Sequence, residues 1–589
     1  MQSRKAFAIG FGAMSLAALL GACGSAPPST PASAPTPPGQ FSTYGSYLAA
    51  RQAQAVRDTS SAAEFYTQAL AQNPDDPELM RRAFTLLAAE GRIEEAAALA
   101  EKLRALGSGI QMAGLVRAVH AAKIGQYARA ESELAALPDG GYNSFIGPLL
   151  RAWLIAARGE PQRGVVALAA LGQTRGFEMF ENFHAALILD QAGELKAAAP
   201  YYERAEASGA TYLRLVQAMA SYYARSGQAE RARSALSGFD NDGGDSVVRG
   251  NRPELANGPL LTEPLVRTPL EGMAEALFDL ASLLNQQNLD DLAMVMVRLS
   301  LHLQPDLDIG LLLAADILED SDRTEQAIAM YRRIPTSSPL AWSARLRSAT
   351  LLDDLGRTDD AIATLAALAD ERPARPDALI AMGDLLRGKE RFAEAAAAYD
   401  KAMARIGTLE QRHWALLYSR GIALERSKQW MRAEADFLKA LELNPDQPYV
   451  LNYLGYSWVE HGINLDKALT MIETAVKLRP EDGYIVDSMG WVLFRLGRYA
   501  EAVPHLERAV ELRPADPTIN DHLGDAYWRV GRENEARFQW DRALVLKPSP
   551  EEAREIQTKL KRGLAIGGAD QRSAVPLSPA LAADTPTGG

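Results

Sequence analysis

The sequence predicts an all-α solenoid of about fourteen helix-turn-helix units, and three observations predict it. Small residues recur at a nearly constant step, at Ala62, Ala96, Ala130, Gly164, Ala198 and Ala232, each 34 residues after the last. A second series runs through Ala293, Ala327, Ala361, Ala395, Ala433, Ala468, Ala502 and Ala536, with steps of 34, 34, 34, 38, 35, 34 and 34. Glycines at 91, 125, 159, 193 and 227 and again at 356, 462, 497 and 531 mark the turn inside each unit. Prolines 74, 305, 339, 373, 445, 480, 514 and 548 lie 12 residues after their alanine, where a helix should stop. A chain of 589 residues is too long for one core, but stacked units grow in one dimension and each buries its apolar face on its neighbours.

Each element follows in chain order. Residues 1–22 read as a signal peptide, with Arg4 and Lys5 before a mainly apolar run from Ala6 to Leu20. The stretch Leu20-Gly21-Ala22-Cys23 resembles the lipobox of bacterial lipoproteins, and Cys23 is the only cysteine. That resemblance implies cleavage before Cys23, lipidation there, and no disulfide within the chain. Gly24 follows, rather than the aspartate that commonly retains such proteins in the inner membrane. The resemblance therefore implies the periplasmic leaflet of the outer membrane of a Gram-negative bacterium, with the lipid as sole anchor. Residues 23–40 form a proline-rich tether that reaches up to about 50 Å in extended polyproline geometry. Residues 41–238 make a first solenoid segment. Residues 239–269, rich in Gly, Pro, Asn and Asp, read as an irregular insertion. Its Asp240, Asp242 and Asp245 lack the glycine and closing glutamate of a calcium loop. A second segment occupies residues 270–548. Ser549-Pro550-Glu551-Glu552 then opens a capping helix over 549–564, and a disordered tail is expected over 565–589.

The last units bring the family into view. Leu523-Gly524-x-x-Tyr527 is followed by Ala536, Trp540, Ala543 and Pro548; the unit before has Met489-Gly490, Ala502, Leu506, Ala509 and Pro514. Period and pattern resemble the tetratricopeptide repeat (TPR) family over residues 41–548 except the insertion, more closely after residue 270. The resemblance implies a right-handed superhelix in which the first helix of every unit lines a concave groove. Gly490 and Ala502 are read as small because the two helices of one unit cross there.

Composition narrows the function. The formal charge of -12 argues against a phosphate backbone as partner, so no nucleic acid is expected. The seven histidines show no metal-ligand spacing, and the nearest candidates, His505 and His522, read as surface residues. No nucleophile elbow, H-E-x-x-H or phosphate loop is present, so neither catalysis nor a cofactor is expected.

Within Gly483–Val503, Val486, Met489, Leu493 and Leu496 make one apolar stripe, while Asp487, Trp491, Phe494 and Arg495 make a second, aromatic and charged. On the TPR resemblance the second stripe faces the groove. It is joined by Tyr418 and Arg426, by Asn452, Tyr456, Val459 and Glu460, and by Asp521, Asp525, Trp528 and Arg529. Aromatic area combined with charge is the composition of a binding hot spot. The expected function is an outer-membrane-anchored periplasmic scaffold that binds protein partners in its groove, for envelope assembly or control of cell-wall enzymes. A second reading is a peptidoglycan- or polysaccharide-binding export accessory, since the same rings could hold sugars.

Overall fold

The computed structural model describes residues 42–107, 111–138, 140–172, 176–208, 212–238, 260 and 262–564. The expected signal peptide, the whole tether with Cys23, most of the insertion with its three aspartates, and the tail lie outside the described residues. Among the described residues every regular element is helical: fourteen helix pairs, with the short helix Ala169–Gly172 and the 3-10 turn Gln411–His413 between pairs, are followed by one more helix, Pro550–Arg562. The first pair is Thr43–Ala55 with Thr59–Gln72, and the last is Pro517–Arg529 with Glu533–Val545.

The pairing rests on a steric rule legible in the small-residue columns. An ideal Cβ on Gly490 would stand 2.4 Å from Leu506 Cγ on the second helix of its unit. The same holds for Gly524 against Trp540 Cδ1 at 2.5 Å, Gly421 against Phe437 at 2.5 Å and Gly383 against Tyr399 at 2.5 Å. One small and one large residue thus interlock across every crossing of this kind, and Ala502 and Ala536 beside them are wholly buried. Gly164, which breaks the alanine column, has its own reason: a Cβ there would come within 2.8 Å of the Ala152 carbonyl oxygen.

Between the two helices of a unit the chain turns through the left-handed region, as at Gly497 with φ 75°. Where the glycine is absent the turn is kept regardless, by Asn288, Asp322, Glu390 and Lys428 at φ between 58° and 64°. The first helices of the last two pairs begin on side-chain caps: Asp482 accepts from the Tyr484 and Ile485 amides, and Asp516 from those of Thr518 and Ile519.

The chain divides into two compact units, Met1–Ala83 and Phe84–Gly589. In the first, Ala50, Ala62 and Tyr66 are wholly buried, and the Tyr66 hydroxyl donates to Gln54 at 2.8 Å. In the second, the pairs on either side of the insertion do not simply follow one another, because the chain folds back. Helix Pro269–Gln286 packs on helices Asn143–Ala156 and Glu178–Gln191, and helix Asp290–Leu303 packs on Gln111–Lys123. Only Leu260 and residues 262–268 of the expected insertion's C-terminal end are described; the Glu263 carbonyl accepts the Ser221 hydroxyl at 2.7 Å and Val266 is buried.

Candidate functional site

Two stretches of first-helix surface could serve as a groove, one before the insertion and one after. The earlier one is filled by the chain itself. Gly272 presses on Trp153 so closely that a Cβ would lie 2.3 Å from the indole. Beside it runs a buried polar chain: Trp153 Nε1–H donates to His184 Nδ1 at 3.0 Å, and His184 Nε2 faces Asp279 at 2.8 Å. The Trp153 donor fixes His184 as the Nε2–H tautomer, so the imidazole donates to Asp279. The Tyr212 hydroxyl donates to the same carboxylate. Burial pushes the Asp279 carboxyl up, and the His184 and Tyr212 hydrogen bonds pull it partly back. One turn earlier on the same helix, Glu275 takes Arg214 in a two-toothed pair at 2.8 and 2.6 Å, both side chains buried. Further along, His120 Nδ1 and His302 Nε2 face each other at 3.4 Å, and Lys123 donates to the Leu303 carbonyl at 3.0 Å. Burial, together with His120 and Lys123, lowers His302 to about 4. Sequence reasoning missed this occupancy; its only local signal was an apolar first helix, Pro269–Gln286, carrying Glu275 and Asp279 four residues apart.

The later stretch is where the sequence places the site, and here the structure requires a correction. The expected open aromatic floor is packed shut. Trp491 is 2 % exposed, Phe494 4 %, Tyr456 5 %, Tyr418 1 % and Asn452 0 %. The reason is the spacing of the units: helix Gly483–Arg495 is flanked by helices Pro448–Glu460 and Pro517–Arg529 and crossed by Tyr499–Leu512, leaving it buried from Ile485 to Phe494.

The stripe is a seam between first helices, held by contacts that run from each unit to the next. Trp491 stacks on His522 with centroids 4.0 Å apart and on Phe494 at 4.9 Å, and its Nε1–H donates to Glu460 at 2.7 Å. Arg495 binds the same Glu460 at 2.8 Å. Asp487 accepts from His522 Nδ1 at 3.0 Å; burial opposes a charged His522, but the carboxylate outweighs it and raises the imidazole. Asp521 and Asp525 both take Lys559 of the terminal helix, and Trp540 Nε1 donates to Asp525 at 2.9 Å. Trp528 is half-buried beside Trp540, with the Arg537 guanidinium 5.3 Å from its ring centroid. Arg529 lies 5.8 Å from the Tyr499 ring and Arg426 4.6 Å from that of Phe392. Tyr418 packs edge-on to Tyr453 at 6.0 Å. Asn452 is wholly buried, and neither of its amide atoms has a hydrogen-bond partner among the described residues.

The open part of the first-helix surface lies earlier in the array. Counting five residues past the small residue at the helix crossing gives Glu460, Arg495 and Arg529 in the closed units, all only partly exposed, but Asp320, Asp354 and Gly388 in the earlier ones, all exposed. Leu346 and Ile380, which align with Asp487, are half-buried. The repeat alignment was the signal that could have found these positions; the tryptophans drew attention away from them. Among the described residues no cluster of three or more His, Cys, Asp or Glu side chains could hold a metal ion, and no helix is long and apolar enough to cross a membrane.

Comparison with known proteins identifies the repeated unit. Tetratricopeptide-repeat family descriptions match residues 53–119, 312–376, 346–410 and 380–448, and a further TPR repeat description matches 490–531. The TPR repeat-containing protein PA4667 of Pseudomonas aeruginosa is 36% identical over 87 residues, which is 15% of this chain and 15% of that protein. Among solved structures, the Cut9–Hcn1 hetero-tetramer of the APC/C aligns over 88% of this chain and 96% of its own, at 15% identity and a TM-score of 0.36. YrrB, described as a TPR protein with an unusual peptide-binding site, aligns over 33% of this chain and 97% of its own, at 21% identity and a TM-score of 0.26. Tetratricopeptide repeats are thus recognised within residues 53–119, 312–448 and 490–531 of this chain.

Proposed function

We propose that this protein is a periplasmic scaffold, held at the outer membrane by a lipid on Cys23, that gathers protein partners on the open part of its concave surface for envelope assembly or control of cell-wall enzymes. The observation that carries the membrane reading is the coincidence of Leu20-Gly21-Ala22-Cys23 with the end of an apolar, positively headed leader in a chain with no other cysteine. The groove reading is supported by the exposure of Asp320, Asp354 and Gly388, where the equivalent Glu460, Arg495 and Arg529 of the later units are only partly exposed. The sugar-binding alternative gains no support, because the ring faces it relied on are stacked inside the seam.

The membrane reading is tested by growing cells with an alkyne-bearing fatty acid and fractionating their envelopes. Label in the outer-membrane fraction that disappears with Cys23→Ala is the expected result. A Cys23→Ala protein that keeps both its label and its fractionation would sink the anchor. The groove reading is tested separately, with a photo-crosslinking residue at position 354 in living cells. A discrete protein adduct is expected, and crosslinks within the chain alone would remove the groove from consideration.

A further inference from the structure

The first and last helices of the array are finished differently. The last, Pro550–Arg562, turns Ile556 and Lys559 inward and leaves Arg554, Gln557, Thr558 and Lys561 exposed, the polar outer face that a stacked array needs in water. The first, Thr43–Ala55, has no such face. Its Ser46, Ala50 and Ala53 are buried, and it packs on helix Thr59–Gln72. On the opposite side, at steps of four and seven residues, stand Tyr44, 82 % exposed, Leu48, 65 % exposed, and exposed Ala55, with exposed Val56 just past the helix. A helix apolar on two opposite sides calls for two coverings, and the described residues supply one. Charge at this end is one-sided as well. The chain carries no Asp or Glu before Asp58, against a net charge of -12 overall, and Arg51 stands exposed on the same face as Tyr44 and Leu48. Asp58 itself caps the next helix, its carboxylate accepting the Ser61 amide at 2.9 Å.

Resting on the lipid-anchor reading above, we infer that the outward face of helix Thr43–Ala55 lies on the surface of the anchoring bilayer, as a second contact beside the lipid. Tyr44 and Leu48 enter the boundary between headgroups and acyl chains, while Arg51 keeps its guanidinium among anionic phosphates. At 13 residues, and so about 20 Å long, the helix lies on a bilayer rather than spanning it. Its place in the chain selects this occupant over others. The proline-rich segment ending at residue 40 joins the helix to Cys23, so a lipid on that cysteine keeps this face within reach of one bilayer, and a contact too weak to hold a free protein suffices. The missing carboxylates remove the repulsion that the rest of this acidic chain would meet at an anionic surface. The contact sets the first unit against the membrane instead of at the tether's full reach of about 50 Å.

Lipidation consumes the only thiol of the chain, so an introduced cysteine becomes the single labelling position. The test uses the full-length lipidated protein reconstituted into vesicles of phosphatidylethanolamine with a minority of phosphatidylglycerol. A polarity-sensitive nitrobenzoxadiazole label at Leu48→Cys is compared with the same label at Phe538→Cys, an apolar position of the last unit that is also 65 % exposed. The label at 48 should emit further to the blue and be quenched by nitroxide-bearing lipids about threefold more than the label at 538. Combining Tyr44→Glu with Arg51→Glu should return it to the level at 538. Equal quenching at the two positions, or quenching that survives the double substitution, would overturn the inference. So would a blue shift without quenching by lipid, which means that protein, a second copy included, covers the face. The anchor reading fails separately: absence of fatty acid from Cys23 removes the anchor and the second contact with it. A lipidated Cys23 with an unquenched position 48 keeps the anchor and removes only the contact.

Discussion

Replacing Trp491 with alanine removes a ring that is 2 % exposed, stacked between His522 and Phe494, and hydrogen-bonded to Glu460. An aromatic side chain of this kind buries about 150–250 Å², which at about 25 cal/mol per Å² is about 4–6 kcal/mol of transfer free energy. A realistic unfolded reference lowers that by roughly 10–40%, to about 3–5 kcal/mol, the range usual for aromatic-to-alanine substitutions in cores. Because stacked repeats unfold in neighbouring groups rather than all at once, the loss should be concentrated in helices Pro448–Glu460 to Pro517–Arg529. The assay is amide hydrogen exchange followed by mass spectrometry at fixed pH, with thermal denaturation alongside. Exchange in those helices should accelerate by two or more orders of magnitude, roughly the tenfold per 1.4 kcal/mol of opening free energy, while Trp491→Phe should be much milder. Protection within about threefold of the unsubstituted protein would show the ring to be standing in an open groove, and the seam described above would be wrong.

Other perturbations test other joints. Gly272→Ala places a Cβ into the Trp153 indole and should cost about 1–3 kcal/mol through overpacking, seen as a lowered Tm and faster exchange in helix Asn143–Ala156. Lys559→Met strips the cation from the Asp521 and Asp525 carboxylates and should destabilise the last unit by about 3–5 kcal/mol, read by exchange in Pro517–Arg529; unchanged protection would contradict the buried pairing. Two histidines, half-buried His302 and buried His522, should pull in opposite directions with pH. His302 is lowered to about 4, so its contribution is fully present above its unfolded value near 6.5 and is lost as pH falls toward 4. Discounted for a partly exposed ring, that loss is about 1–2 kcal/mol, and His302→Gln should flatten the acid limb of a stability profile. His522 is raised by Asp487, so its contribution is present below about 6.5 and is lost as pH rises through the raised value; His522→Gln should flatten that limb instead.

How far the sequence could be read depended on whether the determining interaction was local. Period, turn and cap are written in residues near one another. The Gly490 crossing needs only that Leu506 follow sixteen positions later, and the Asp482 cap needs only the next few amides. Fourteen helix pairs and their order were legible for that reason. The two stripes of Gly483–Arg495 were legible as stripes, too. Their environment was not, because a helix carrying Trp491 and Asp487 has the same pattern whether the next helix stands clear of it or lies against it.

Only packing between distant residues decided the rest. Asp487 pairs with His522 and Asp521 with Lys559, each one unit further along, so charges that read as groove decoration became the polar joints of a closed seam. The fold-back of Pro269–Gln286 onto Trp153 and His184 joins residues 119 and 95 positions apart, Gly272 with Trp153 and Asp279 with His184, and no periodicity records such a meeting. The sequence by itself determined the repeating unit, its count and its helical faces, because those follow from short-range sterics and hydrogen bonding. Which faces are buried and which remain for a partner was decided by the tertiary structure alone, because exposure belongs to how units meet and not to any unit taken singly.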